Sequence, residues 1–376
     1  MRVVIATRRL GIPGGSETFV LTVAEALAQL GHEVVLHAKE IGMVAEEAGR
    51  RALTVIADQR RLPRAVDATI ALDRALAIDM AILYPDSTRL YAMHNMLEEW
   101  LPPPQPGVIA ATLAPSGRLE TLALGCVGAG EVIRIRHPID IVRFSPRGWA
   151  NGAPHEVLVI GNYSAAEGQR YSRLQQAWGE FDLDWRQLGR PAPTVNPAPA
   201  MARADIVVGY GRSILEAMAC GRPAYIHEHS GSDGWVTAAA YERLEADGFA
   251  GTAGRANPDI AALRADFAAY DPELGRVGQD LVRMHHDARQ VVAGVVQKIA
   301  ALAQAPVAAP DALGLQGLQR LIDSHMRAEA KAEGYRTEAK AARALWKTAM
   351  RPVRLVRKLK RRIGRLRGRF GAARTQ

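Results

Sequence analysis

Residues 204 to 226, ADIVVGYGRSILEAMACGRPAYI, constrain this chain more than any other stretch. Ile206-Val207-Val208 is an apolar run of strand length. Gly209-Tyr210-Gly211 places two glycines around one residue, the mark of a tight turn. Ser213 begins a short helix, and Glu216 follows at the spacing of a capping box. Leu215, Met218 and Ala219 supply an apolar face. Gly221 ends the helix and Pro223 stops it restarting. Ala224-Tyr225-Ile226 is the next strand. Strand, turn, helix and strand make a βαβ unit of a parallel sheet. Such sheets bind ligands at the carboxyl ends of their strands, where Arg212 and Glu216 are the polar groups.

The same alternation runs from the start. Val3 to Ala6 is a strand, and the loop TRRLGIPGGSE leads into a helix with Phe19, Val20, Val23, Leu27 and Leu30 on one side. Gly31 stops it before the strand Val34-Val35-Leu36. Gly11, Gly14 and Gly15 do not fit the dinucleotide fingerprint. Read alone, Ser16 is an N-cap and Glu17 a carboxylate favoured by the helix dipole. The other reading gives the free amides there a diphosphate or a sugar hydroxyl. Strands follow at Ala68–Leu72, Arg89–Met93, Val108–Ala114 and Val132–Arg136, with helices at Arg74–Leu83 and from Ser116 to about Gly125. The strand 89–93 ends at His94-Asn95. The polar stretch Trp149–Pro154 is the best domain boundary. Val157–Ile160 opens a second series, and helices are expected near Val236, at Ile260–Phe267 and at Ala288–Leu302. His227 and His229 are metal-ligand types without a third ligand, so a loop is the preferred reading.

Three segments resemble a known family, the family-4-type retaining glycosyltransferases of the GT-B fold: Gly14-Gly15-Ser16-Glu17, His137-Pro138-Ile139-Asp140-Ile141-Val142-Arg143-Phe144 and Gly209-Tyr210-Gly211 with Glu216-Ala217-Met218-Ala219-Cys220-Gly221. The resemblance covers roughly residues 1 to 300. It implies two Rossmann-like domains facing a cleft: 1–150 on the acceptor side and 151–304 for the nucleotide sugar, with 305–376 a linker and basic helical tail. It also implies a hexosyltransferase-type enzyme that retains configuration, without cofactor or metal, acting in bacterial cell-surface polysaccharide or glycolipid synthesis. His94 and Glu17 take catalytic roles by this resemblance. Gly14, Gly15, Arg170, Arg190, Gly211, Arg212, Glu216, Gly231, Asp233 and Gly234 take donor-binding roles. The family's first motif glutamate is Val208 here, its hinge asparagine is His137, and its two phosphate-binding cations are Asn162 and Glu167. Arg170, Arg190 or Arg212 stand in as phosphate cations, Arg212 being best placed. On its residues alone, Arg212 is equally an exposed surface arginine. Loss of these groups also suits a non-catalytic GT-B-like binding or scaffold protein attached to membrane or nucleic acid by its basic tail, but the active transferase is the preferred reading, because Arg212 and the Gly-rich loop can compensate.

Charge separates the tail from the body. The net charge is +9, and residues 351–370 hold ten Arg or Lys and no acid, leaving 9 − 10 = −1 for the rest. Val356, Leu359, Ile363, Leu366 and Phe370 form one stripe on a helix. That pattern fits a helix lying on an anionic membrane surface. Nucleic acid would need the charge but not the stripe, and is the less favoured partner. The expected partners are therefore a nucleotide-sugar donor, a glycan or lipid-linked acceptor, and the membrane. Cys126 and Cys220, far apart in sequence, fit a reduced cytoplasmic setting at the inner face of the membrane. No signal peptide or membrane span is expected.

Overall fold

A computed structural model describes residues 1–94, 103–161, 169–189, 193–228, 231–254, 256, 258–304, 311, 314–320 and 324. The chain divides into Met1–Leu315 and Gln316–Gln376. The basic stripe and most of the linker and tail expected over 305–376 lie outside the described residues.

Two sheets organise the larger unit. The first half alternates β1 (Arg2–Leu10), α1 (Gly15–Gln29), β2 (Glu33–Ile41), α2 (Met43–Arg50), β3 (Thr54–Ile56), β4 (Ala68–Ala71), α3 (Arg74–Leu83), β5 (Thr88–Ala92), β6 (Ala111–Ala114), α4 (Gly117–Leu124) and β7 (Glu131–Arg134). Its seven strands lie in the order β3-β2-β1-β4-β5-β6-β7, every pair parallel. Helices cover both faces of such a sheet, so its strands read as unbroken apolar runs. Val3, Val4, Ile5 and Ala6 of β1 are accordingly all buried. The second half contains β8 (Glu156–Ile160), α5 (Gln169–Trp178), β9 (Asp184–Leu188), α6 (Ala198–Met201), β10 (Ile206–Gly209), α7 (Arg212–Ala219), β11 (Ala224–Glu228), β12 (Gly231–Trp235), α8 (Tyr241–Ala246), α9 (Ile260–Ala268), α10 (Leu274–His285) and α11 (Ala288–Leu302). Its order is β12-β11-β10-β8-β9, with β12 antiparallel to β11.

Both glycines expected to stop helices do so. After α1, Gly31 has φ +84°, its amide reaches Ala28 and the amide of His32 reaches Leu27. After α7, Gly221 has φ +70°, its amide reaches Met218 and that of Arg222 reaches Ala217. Each is a Schellman motif, which closes the last carbonyls and needs a left-handed residue.

Several expectations require correction. The stretch Thr7–Leu10 is strand rather than loop, because β1 pairs with β2 as far as Leu10↔Ile41. The loop expected around His227 gives way to strand, with His227 on β11 and Gly231–Trp235 forming β12, and the helix expected near Val236 starts at Tyr241. Helices α2, α5, α6 and α10 and strands β3 and β9 had not been anticipated.

The chain passes between the halves twice, and the two passages are joined. Ile139 is fully buried; its amide donates to the carbonyl of His286 at 2.8 Å, and its carbonyl accepts from Ala288 at 3.0 Å. The second passage leads into α11, whose Ala288, Val292, Val295 and Ile299 join the core of the first half beside α1. The stretch 151–304 thus contributes its last helix to the first core. The imidazole of His286 completes the junction. Nδ1 meets the His137 carbonyl at 2.8 Å, and Nε2 meets the Tyr241 hydroxyl at 2.7 Å. Nδ1–H donates to the carbonyl, and with burial keeping the ring neutral Nε2 accepts from the tyrosine.

Burial pushes the His286 pKa down to about 3, with Arg136, His285 and Arg134 acting in the same direction and the bond to His137 opposing them. The folded pKa lies below the unfolded one, about 6.5. The stabilisation from neutral His286 is therefore complete above about pH 6.5 and is lost as pH falls towards the folded value. Denaturant midpoints should drop between pH 7 and pH 4.5. In His286→Gln the midpoint at pH 7 should be lower and the acid slope shallower.

Candidate functional site

The best-defined polar cluster lies where the two halves meet, and Arg212 is at its centre. β10 ends at Gly209, and α7 starts at Arg212 after two intervening residues. A Cβ on Gly209 would stand 2.6 Å from Ser213 Oγ and 3.1 Å from the Ile160 carbonyl. Gly211 has φ +60° and donates its amide to Phe249 at 2.8 Å. Glycine is thus needed at one position for close approach and at the other for backbone conformation.

The expected capping box does not form. Gly211 occupies the N-cap position without a side-chain cap. Ser213 lies inside the helix, where its hydroxyl donates to the Tyr210 carbonyl at 2.7 Å. Glu216 pairs instead with Arg212, Nη2 to Oε1 at 3.4 Å. Arg212 is only 7% exposed, so it is not a surface arginine. Its Nη1 donates to the Pro138 carbonyl at 2.8 Å, and its Nη2 reaches Thr22 Oγ1 on α1 at 3.3 Å. Its Nε is buried without a hydrogen-bond partner. One side chain therefore touches α7, α1 and the passage between the halves. Burial pushes the Glu216 carboxyl up while Arg212 pulls it back; burial likewise lowers Arg212 while Glu216 opposes the shift.

His137 lies beside this pair. Its pKa is held well below the usual imidazole range, by burial first and then by Arg212, His286, Arg134 and His94. Its ring meets Phe19 of α1 edge-on, with centroids 6.4 Å apart. His94, two residues beyond β5, is close enough to His137 to contribute to that depression. At the start of α1, Gly14 is the N-cap in an extended conformation. Ser16, expected as the cap, instead donates its hydroxyl to Glu17 at 2.9 Å. Burial raises the Glu17 carboxyl, opposed by its backbone bond, Ser16 and Arg9.

The remaining predicted residues stand further off or elsewhere. Gly231, Asp233 and Gly234 lie on β12. Asp233 accepts the Ala253 amide at 3.3 Å, and its carboxyl is raised mainly by burial. Arg170 is in the first turn of α5. Arg190 lies outside the described residues. Val208 is fully buried, in a cluster with Val159, Tyr171, Trp178 and Tyr225. Among the described residues, no group of three His, Cys, Asp or Glu is arranged to hold a metal, and no helix is long and apolar enough to cross a membrane.

A second group of polar contacts joins the halves nearby. Arg134, at the end of β7, clasps Glu245 of α8 through both carboxylate oxygens at 2.5 and 2.6 Å. Arg136 adds a contact to Glu245 at 3.2 Å. Arg118 of α4 reaches Asp247 at 3.2 Å and Thr252 at 3.0 Å. None of these was legible from sequence, because each partner lies more than a hundred residues away. His137 carried a faint signal, as a histidine where the similar family has asparagine.

No protein-family model matches the sequence, and none of the curated proteins matches it. Solved structures do. HepE (Alr3699) of Anabaena, in complex with UDP and glucose, is similar with a TM-score of 0.57 at 13% identity, over 80% of this chain and 100% of its own. A glycosyltransferase from Rickettsia africae has a TM-score of 0.57 at 13% identity, over 81% and 99%. The pneumococcal O-GlcNAc transferase GtfA, in complex with UDP and GlcNAc, has a TM-score of 0.55 at 7% identity, over 80% and 99%. Likeness at these identities shows the fold, the two-sheet α/β architecture of these glycosyltransferases, and it covers nearly all of each of them.

Removing one member of a buried ion pair strands the other charge, at a cost of about 3–5 kcal/mol. Arg212→Leu and Glu216→Leu should each lose stability on that scale in denaturant titrations. The double variant should recover much of it. Losses below about 1 kcal/mol in both single variants would mean a solvated pair.

Proposed function

We propose that this chain is a glycosyltransferase that moves a sugar from a nucleotide-sugar donor to a hydroxyl acceptor. The observation that carries the reading is Arg212. Through its bond to Thr22 it joins α1, which begins at Gly14-Gly15-Ser16-Glu17, to α7, which carries Glu216. Two motif segments some two hundred residues apart thus lie on adjoining helices, at the carboxyl ends of β1 and β10, where α/β sheets bind ligands. The solved structures with this fold include complexes with UDP. UDP is therefore the first nucleotide to test here.

In this reading Glu216 accepts the ribose hydroxyls of the donor, competing with Arg212 for the carboxylate. Arg212 and Arg170 or Arg190 meet the diphosphate with Gly211, and Gly231, Asp233 and Gly234 border the donor. Gly14 and Gly15 approach the donor from α1. His94 contacts the transferred sugar, and Glu17 lies on the acceptor side. Transfer is a retaining, hexosyltransferase-type reaction that needs no cofactor, and its acceptor is a glycan or lipid-linked hydroxyl of bacterial cell-surface polysaccharide or glycolipid synthesis.

Calorimetry with UDP tests the donor site. Glu216→Gln keeps the shape but loses one anionic oxygen. It should stay folded and bind UDP about tenfold more weakly, equivalent to about 1.4 kcal/mol. Unchanged affinity would leave Glu216 a purely structural partner of Arg212. Val208 favours a second reading, a GT-B-like scaffold without catalysis, because the carboxylate of the similar family is replaced there by a buried hydrocarbon. Hydrolysis of a panel of nucleotide sugars decides between them, since the scaffold turns over none.

The basic stripe supports attachment to the cytoplasmic face of a membrane. Binding to anionic liposomes in sedimentation should weaken with salt and disappear on truncation after Met350. It should also fall when Leu359 and Ile363 are replaced by serine with every charge kept. Binding that survives those serines would favour a purely electrostatic partner, nucleic acid included.

A further inference from the structure

Asp73 is a buried carboxylate that its structural role uses only in part. It is 6% exposed and caps α3, with Oδ1 accepting the Leu76 amide at 2.9 Å. Oδ2 is buried and has no hydrogen-bond partner. A cap needs one oxygen, as serine caps show. Leaving a second carboxylate oxygen buried and unbonded is costly, so such an atom calls for a reason.

The sheet register supplies a candidate. β4 and β5 are parallel neighbours, and Ala71 is level with Tyr91. Asp73 stands two residues beyond Ala71, and His94 three beyond Tyr91. Adjacent strands are about 4.8 Å apart. The two side chains therefore leave the same edge of the sheet from neighbouring strands, and their charges are coupled. Nδ1 of His94 is buried while the residue as a whole is partly exposed. The ring thus has one nitrogen in the protein and an outer edge towards solvent.

We propose that Asp73 is the positioning residue for His94, its Oδ2 receiving the Nδ1 proton so that Nε2 is presented to the substrate in one tautomer. This rests on the glycosyltransferase reading, in which His94 meets the transferred sugar. Hydrogen bonds of this kind commonly tighten only with substrate in place. The α3 cap already fixes the carboxylate through Oδ1, so little freedom is lost in making the second bond.

The charges around the pair are mixed. Burial raises the Asp73 carboxyl above the usual carboxylate range, while the Leu76 amide, Arg8 of β1, Lys39 of β2 and His94 oppose the shift. Lys39 is itself engaged with Asp79 of α3 at 3.0 Å. Arg74 and Tyr91 adjoin Asp73 on α3 and β5. His137, in the passage between the halves, is acted on electrostatically by both His94 and Arg212. Asp73 is thus a carboxylate coupled to His94, and its removal should be felt by the imidazole.

The test uses the full chain and needs no ligand for its first arm. Asparagine caps helices about as well as aspartate, so Asp73→Asn keeps α3 and removes the charge and the Oδ2 acceptor. The His94 imidazole nitrogens, identified by their loss in His94→Gln, are followed by ¹⁵N NMR against pH. In Asp73→Asn the His94 titration should move down by about one pH unit, and the Nδ1–H tautomer should lose its predominance. An unchanged titration and tautomer in the folded variant would overturn the proposal. Should asparagine fail to fold, Asp73→Ser keeps a cap without a second oxygen and serves the same comparison. The second arm follows UDP-glucose hydrolysis. Asp73→Asn should slow it roughly tenfold, with little further loss when combined with His94→Gln. Equal, multiplying losses would mean that the two residues act independently and would also overturn the proposal. An NMR response in a protein that neither binds nor turns over any nucleotide sugar would uphold the pair and refute the transferase reading alone.

Discussion

The architecture depends on one histidine kept neutral. His286 ties the first passage between the halves, at His137–Ile139, to the second, at His286–Ala288. It also holds α8 through Tyr241. Both passages run through buried surroundings, so their backbone polar groups must be satisfied within the protein. Neutral imidazole suits this place because it is a donor at one nitrogen and an acceptor at the other. A lysine would donate only, and a carboxylate would accept only. Once the passages are joined, α11 can return to α1, and the first half gains a helix encoded almost at the end of the second.

The ion pairs joining the halves are arranged around that junction. Arg134 and Arg136 flank it and converge on Glu245, which is 4% exposed. Glu25 of α1 holds Arg143 at 3.1 Å and Arg51 at 2.9 Å. Partly buried bidentate contacts are stronger and more directional than surface pairs. Their position matters more than their number. Apart from Glu25–Arg51, which lies within the first half, each joins an element of one half to an element or passage of the other, so the relative setting of the halves is determined by charge as well as by apolar packing.

Regular elements were legible in the sequence where a local signal ended them. Helices α3 and α11 begin and end where their apolar periodicity does, each behind an aspartate that caps it. Gly31 and Gly221 marked their stops for a stereochemical reason that holds anywhere. Strand β12 was not legible, since Gly-Ser-Asp-Gly-Trp has turn composition and becomes a strand only by pairing with Tyr225 and Ile226. Helix α10 was missed because its exposed side is polar and its glycines lower its propensity; Gly278 is there to meet Met218 closely, a Cβ falling 3.0 Å from Met218 Cγ. At the site, the motifs pointed to Arg212 and Glu216 but paired Glu216 with Ser213. Ser-x-x-Glu reads as a capping box when nothing distant competes. Here Arg212 competes successfully, because burial removes the water that would otherwise screen it from Glu216.

Val208 shows what that burial implies for the site. Along β10, side chains alternate between the two faces of the sheet. Val207 faces the cluster that contains Leu215 and Met218 of α7. Ile206 and Val208 face the opposite cluster, among Trp178, Tyr225 and Trp235. A glutamate at 208 would enter this aromatic layer and require a cation or several donors to remain charged. The layer instead closes over with hydrocarbon, and Trp178 spends its one indole N–H on the Leu263 carbonyl. The charged chemistry at this turn is thereby confined to the α7 face of the sheet. There Arg212 and Glu216 balance each other, and Thr22 and Pro138 hold the arginine in place. An arginine held on three sides has little conformational freedom of its own left.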